Sequence, residues 1–216
     1  MSAPVRSRQR AYADIKRHIL RGSYAPGQIM SLRELCGRVR CSIASVRDAV
    51  VRLECERLVR VHPQRGIQVM EVDLEFVREA YQLRLMIELE GLRRTLEAPD
   101  TAALRELAGR TQASIDELSG DPDDAAIDRA VESDWALHAL IVGSLQSRLA
   151  LDIYRQNRER QRLIGRAYAF HPAKFARAAL LEHLPVIAAL QAHDGPRAHT
   201  LLEAHITSAM RRQIGV

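Results

Sequence analysis

Apolar side chains at Ala11, Ile15 and Ile19 recur at helical spacing and predict a first helix over Ala11–Leu20. The stretch "RGSYAPGQIM" then interrupts the pattern with Gly22, Pro26 and Gly27. Ser31 is placed to cap a short helix, "LRELCGRV". Ser42 opens "IASVRDAVVRLECERL", where Val46, Val50, Leu53 and Leu58 form an apolar stripe. Next, "LVRVHPQRGIQVM" alternates apolar and polar positions around Pro63 and Gly66, the pattern of a two-stranded hairpin with a basic tip. Three helices followed by a hairpin predict a winged helix-turn-helix.

From Asp73 the alternation disappears and helical spacing takes over. "LEFVREAYQLRLMIELEGLRRTLEA" stops at Pro99, and "TAALRELAGRTQASIDELSG" stops at Gly120. A helix around Trp135 follows, then an arginine-rich stretch to His171-Pro172, and two last helices flank "HDGPRA". The expected fold is mostly α, with a winged domain over residues 1–72 and an all-α antiparallel bundle of about six helices over 73–216. The connection "MEVDLE" leaves little slack between the two.

Composition supports this and narrows the setting. Aromatics make up only 4% of the chain, no run of eighteen apolar residues occurs, and "MSAPVRSRQR" lacks an apolar signal core. A soluble, cytoplasmic protein with no membrane partner is expected. Cys36, Cys41 and Cys55 are odd in number and not at metal-binding spacing, so they read as reduced thiols packed as small apolar groups. The net charge of +5 conceals an asymmetry. Residues 1–70 carry 14 Lys/Arg against 5 Asp/Glu, a balance of +9, and the remainder balances to −4. A basic first third points to a polyanion, with nucleic acid ahead of a membrane surface, since no helix pairs a basic face with a large aromatic one.

The helix around Trp135 carries a polar flaw. In "ESDWALHALIVGS", Asp134 and His138 share a face with Val131, Ile141 and Leu145. Burying them costs free energy unless something satisfies them. His183 shares a face with Leu180, Leu184 and Ile187, and His205 with Leu201, Leu202 and Ala209. Each histidine lies eleven residues from Asp194 at the turn, so an antiparallel pair holds both roughly 16 Å from it. Beside Asp134 and His138 they would form a set of three nitrogens and one oxygen. That set suits a divalent metal, Zn first among Zn, Ni, Mn and Fe, with positions left for water or a ligand. The plainer reading is a structural cluster of satisfied core histidines. A metal-dependent enzyme is the rival from another class, but no H-E-x-x-H motif supplies a general base, although Glu182 adjoins His183. His171, His193 and His199 fall at helix ends or turns and read as surface.

The first 70 residues resemble the GntR family of bacterial transcription regulators, through "ILRGSYAPGQ", "LRELC", "SIASVRDAVVRLECERLV" and "PQRGIQV". The resemblance implies DNA contacts from Arg33, Ser42, Ala44, Ser45, Arg47, Arg65 and Gly66. Arginine can grip guanine or phosphate in a bidentate manner, and a glycine at the wing tip lets backbone approach a groove. Ile43 departs from the pattern, which has arginine there, and an apolar group could at best touch a thymine methyl. The rest resembles the FCD branch of that family, through "RLMIE" at 84–88, "DWALH" at 134–138, "EHLPVIAALQAHD" at 182–194 and "EAHI" at 203–206. The branch implies a divalent metal on Asp134, His138, His183 and His205, with Arg84 binding the carboxylate of a small effector. As an ordinary alternative, Arg84 pairs with Glu88 four residues on. Arg158 and Arg162 are weaker effector candidates. "SLQ" at 144–146 departs from the branch pattern, and Pro185 should kink or start a helix just after His183. The expected whole is a homodimer on a pseudo-palindromic operator, its DNA affinity modulated by an organic acid. The protein is not expected to be an enzyme.

Overall fold

Ser31 and Ser42 act as helix caps. Ser31 Oγ accepts from the Glu34 amide, and the Glu34 carboxylate accepts from the Ser31 amide at 2.6 Å, closing a capping box. Ser42 Oγ accepts from the Ser45 amide. These caps start α2 (Leu32–Val39) and α3 (Ile43–Cys55), and Arg40 in a left-handed conformation, φ 51°, turns the chain between them. The structure is a computed structural model describing residues 3–168 and 171–215. Helix α1 (Ala3–Leu20) begins at Ala3, well before the apolar spacing starts at Ala11. Its polar early turns are held from outside: Arg8 pairs with Asp48, Arg10 donates to the Arg40 carbonyl, and Ser7 hydrogen-bonds Ser45.

The wing has one strand more than the alternation predicts. β2 (Val59–His62) and β3 (Gly66–Val69) form the expected hairpin, and β1 (Ile29–Met30) adds to the far side of β3, giving the order β1-β3-β2, antiparallel throughout. Ile29 pairs with Gln68 and Met30 with Ile67. Two residues are too few to show a period of two, so β1 was hidden inside the turn-rich stretch. The core beneath is built from the predicted stripe of Val46, Val50, Leu53 and Leu58 and the α1 positions Ala11, Ile15 and Ile19, all buried, with Leu35 of α2 added to them.

The chain divides into two compact units, Met1–Val77 with Arg158–Tyr168, and Arg78–Asn157 with Ala169–Val216. The first is therefore discontinuous, borrowing the last turns of α7 (Arg148–Tyr168). Within that unit Glu56 closes a polar network: Lys16 Nζ lies 2.9 Å from it, and Arg160 Nε donates to its carbonyl at 3.2 Å. Glu159 approaches Lys16 at 3.8 Å, and Tyr168 donates to the Val72 carbonyl at 2.7 Å.

Among the described residues, the remaining elements are helices: α4 (Leu74–Glu97), α5 (Thr101–Glu117), α6 (Asp124–Gly143), α8 (Pro172–Gln191) and α9 (Gly195–Ile214). With α7 they make the six-helix set. Asp100, Asp123 and Asp194 cap α5, α6 and α9 with side-chain oxygens. One apolar cluster joins Ile115, Leu118, Ala130, Ala176 and Leu180, and another joins Trp135, Val142 and Tyr154. Pro185 does not start a helix. α8 runs through it, and His183 stays fully buried.

Gly91 sets how closely α4 and α6 approach. A Cβ there would lie 2.6 Å from the Ile141 carbonyl oxygen and 3.0 Å from its carbon, and backbone cannot yield as a side chain can. The crossing lies three residues beyond both Glu88 and His138, so it fixes the spacing of those two side chains. Gly91→Ala should therefore destabilise the fold by about 1–3 kcal/mol, the usual cost of overpacking. Denaturant melts of both proteins check this, and an unchanged midpoint would show that the helices can separate freely.

Candidate metal centre and nucleic-acid interface

Four side chains from three helices meet inside the second unit. Asp134 and His138 come from α6, His183 from α8 and His205 from α9, and one ligand atom from each lies within 4.8 Å of all the others. His183 and His205, each eleven residues from Asp194, stand at the same level, with their Nε2 atoms 3.1 Å apart. Asp134 Oδ1 lies 3.5 Å from His183 Nε2, and the His138 and His205 rings stack with centroids 5.2 Å apart.

The outer ring nitrogens explain why the inner ones converge. His138 Nδ1 lies 2.7 Å from Glu88 Oε2, and His205 Nδ1 lies 2.8 Å from Glu182 Oε2. A carboxylate accepts, so each imidazole carries its proton on Nδ1 and keeps a lone pair on Nε2. Among the described residues, His183 Nδ1 is buried without a hydrogen-bond partner. Burial holds the His183 imidazole well below its ordinary pKa, and its neighbours His205, His138 and Arg84 would repel a proton added there. Burial also lowers His205, with Glu182 opposing. Both are neutral near pH 7, as metal ligands must be. Three buried imidazoles and an oxygen of the half-buried Asp134 carboxylate, converging in this way, fit a divalent ion of the Zn type.

Arg84 lies at the edge of this cluster, 4% exposed. Its Nε donates to Glu88 Oε1 at 2.7 Å and its Nη2 reaches His138 Nε2. Burial works against its charge, but the Glu88 carboxylate prevails and raises its pKa. The guanidinium also faces the Trp135 ring at 5.4 Å, which accounts for the single tryptophan beside the cluster. The i,i+4 pair and the inward reach therefore coexist. Arg158 and Arg162 lie in the stretch of α7 assigned to the first unit, where Arg162 pairs with Glu159. Sequence reasoning missed Glu88, Glu182, Tyr154 and Arg212 as partners of the cluster. The only signal for Glu182 was its adjacency to His183, and it bonds the other histidine instead.

In the first unit, Ser42, Ile43, Ala44 and Arg47 are exposed at the start of α3, Arg33 is exposed on α2, and Arg65 is exposed between β2 and β3. Ile43 is 57% exposed, an apolar group turned outward on a basic face. Ser45 points inward, 5% exposed, with its hydroxyl between Ser42 and Ser7. Gly66 has φ 121°, and a Cβ there would meet the Met30 carbonyl oxygen at 2.6 Å, so sheet pairing alone demands glycine. No helix among the described residues is long and apolar enough to cross a membrane.

The pattern described as "Bacterial regulatory proteins, gntR family" matches residues 7–69, and that of the FCD domain matches residues 79–208. The HTH-type transcriptional repressor RspR of Escherichia coli K12 is 24% identical over 201 residues, covering 92% of this chain and 85% of its own. The solved structure of E. coli McbR/YncC superposes with a TM-score of 0.72 at 21% identity, over 100% of this chain and 99% of that one. The metal-free FCD domain of TM0439 superposes at 0.54 and 19% identity, over 67% of this chain and 95% of that one. With these two patterns together extending over most of the chain, the protein belongs to the GntR family of DNA-binding transcriptional regulators, in its FCD branch.

Proposed function

We propose that this regulator is a cytoplasmic homodimer whose FCD domain holds a divalent metal and senses a small organic acid, changing operator affinity as it does so. The observation that carries the reading is the convergence of Asp134, His138, His183 and His205 within 4.8 Å in the bundle interior. A divalent ion held there, Zn in the first instance with Ni, Mn or Fe as alternatives, supplies fixed positive charge and open coordination positions to an anion. Arg84 adds a planar, permanently charged donor at the same place, suited to a carboxylate. Exposed Arg33, Arg47 and Arg65, with Ser42 and Ala44 at the start of α3 and Gly66 in the wing, form the DNA face, and Ser45 buttresses it from within. Paired half-sites on a two-fold operator call for two copies. A metalloenzyme would need a base beside the ion, and Glu182 is already committed. Burial opposes its ionisation, but hydrogen bonds from His205 and Arg212 prevail and hold its carboxyl at about 2. It is a structural anion rather than a proton acceptor.

The test titrates a panel of small carboxylates against the protein bound to a fluorescent operator, with and without metal. At least one should change operator affinity about 5- to 150-fold, a coupling of roughly 1–3 kcal/mol. Metal removal or Arg84→Ala should abolish the shift while leaving DNA binding in place. An equal response in metal-free protein would defeat the mechanism.

A further inference from the structure

Two of the three histidines in the cluster are tethered in the same way. His138 Nδ1 rests on Glu88, whose other oxygen accepts from Arg84 Nε at 2.7 Å and from the Tyr154 hydroxyl at 2.9 Å. His205 Nδ1 rests on Glu182, whose carboxylate is gripped in a fork by both Arg212 nitrogens. Each tether is thus imidazole, carboxylate, arginine, and each crosses between helices: α6 to α4 in one case, α9 to α8 in the other. Among the described residues no carboxylate supports Nδ1 of the third histidine, His183.

We infer that Glu88 and Glu182 are the positioning residues of the metal site, fixing the tautomer and aim of His138 and His205, with Arg84, Tyr154 and Arg212 fixing the carboxylates in turn. The inference rests on reading the cluster as a metal site. The reason is chemical. A carboxylate on Nδ1–H locks the ring so that Nε2 presents its lone pair to the centre, and the negative charge makes that nitrogen a better donor to a cation. Without it, the ring can carry its proton on Nε2 and turn a donor hydrogen into the cluster. The arginines keep each carboxylate ionised and still, since a bidentate fork restricts it more than a single bond does. Arg84 has two parts here, one in holding Glu88 and one at the cluster edge, so Glu182 offers the cleaner test. It is 32% exposed, whereas Glu88 is fully buried.

The experiment uses the full-length chain with Co(II), whose visible absorption reports ligand number and geometry. Glu182→Gln should keep the fold and weaken Co(II) binding on the order of 10- to 100-fold, with an altered spectrum. Tyr154→Phe, which loosens Glu88 without unpairing Arg84, should weaken it by a smaller factor. Arg212→Met should resemble Glu182→Gln in direction. An independent readout needs no metal. Long-range proton–nitrogen correlations should show His205 protonated on Nδ1 in the chelated wild type, and that preference should be lost in Glu182→Gln. If the wild type binds Co(II) and Glu182→Gln binds it equally with the same spectrum, the positioning role is overturned and the metal site stands. If the wild type binds no Co(II), the metal reading itself is overturned.

Discussion

Operator affinity should fall roughly 10³- to 10⁵-fold between 50 and 200 mM salt, the loss expected when six to ten phosphates are neutralised. Arg33, Arg47 and Arg65 are all exposed on a unit carrying +9 over its first 70 residues, and the proposed homodimer would bring six such arginines to the operator. Fluorescence anisotropy at a series of salt concentrations measures the slope. Arg47→Ala should weaken binding by about 1–3 kcal/mol if it reads a base, and should instead lower the salt slope by about one per contact if it grips phosphate. The two outcomes distinguish readout from anchoring at Arg47, which is exposed in the first turns of α3. An affinity that does not change with salt would remove this face from contention.

The second large effect concerns chelation. A ligand bound only to the folded chain stabilises it by about 2.7 kcal/mol at a hundred times its Kd. For a chain of this size that corresponds to roughly 5–10 °C in Tm. On the proposed metal site, a chelator should lower the Tm by that order, and His138→Ala should remove most of the sensitivity because it deletes one of the four proposed ligands. Differential scanning calorimetry with and without chelator gives both numbers. Elemental analysis of protein purified without chelator gives the identity of the ion, and finding none would end the proposal.

The features legible in the sequence were those carried by local spacing. Ser31 and Ser42 could be read as caps because a cap is fixed by residues three apart, and the α3 stripe because burial follows a 3.6-residue period. The meeting of His183 with His205 needed only equal distances from one turn, and the structure places their Nε2 atoms 3.1 Å apart. Contacts that depend on helices distant in sequence left no such trace. Glu88 reaches His138 across fifty residues, and Glu56 reaches Arg160 across more than a hundred. The start of α1 was illegible for another reason. Its early turns are polar, and what holds them is Asp48, Arg40 and Ser45 rather than an apolar face of their own. Gly91 could be read only as a weak spot in a helix, because the carbonyl it accommodates belongs to α6.

The last turns of α7 bear on how such a regulator could be rebuilt. A unit assembled from Met1–Val77 and Arg158–Tyr168 cannot be transplanted by a single crossover in the linker. A recombinant joining this winged domain to a foreign sensor would lose Glu159 and Arg160, the α7 partners of Lys16 and of the end of α3. The helix that completes the DNA-binding unit would have to be inherited along with it, so exchange between relatives is easiest as a whole chain or with a matched α7.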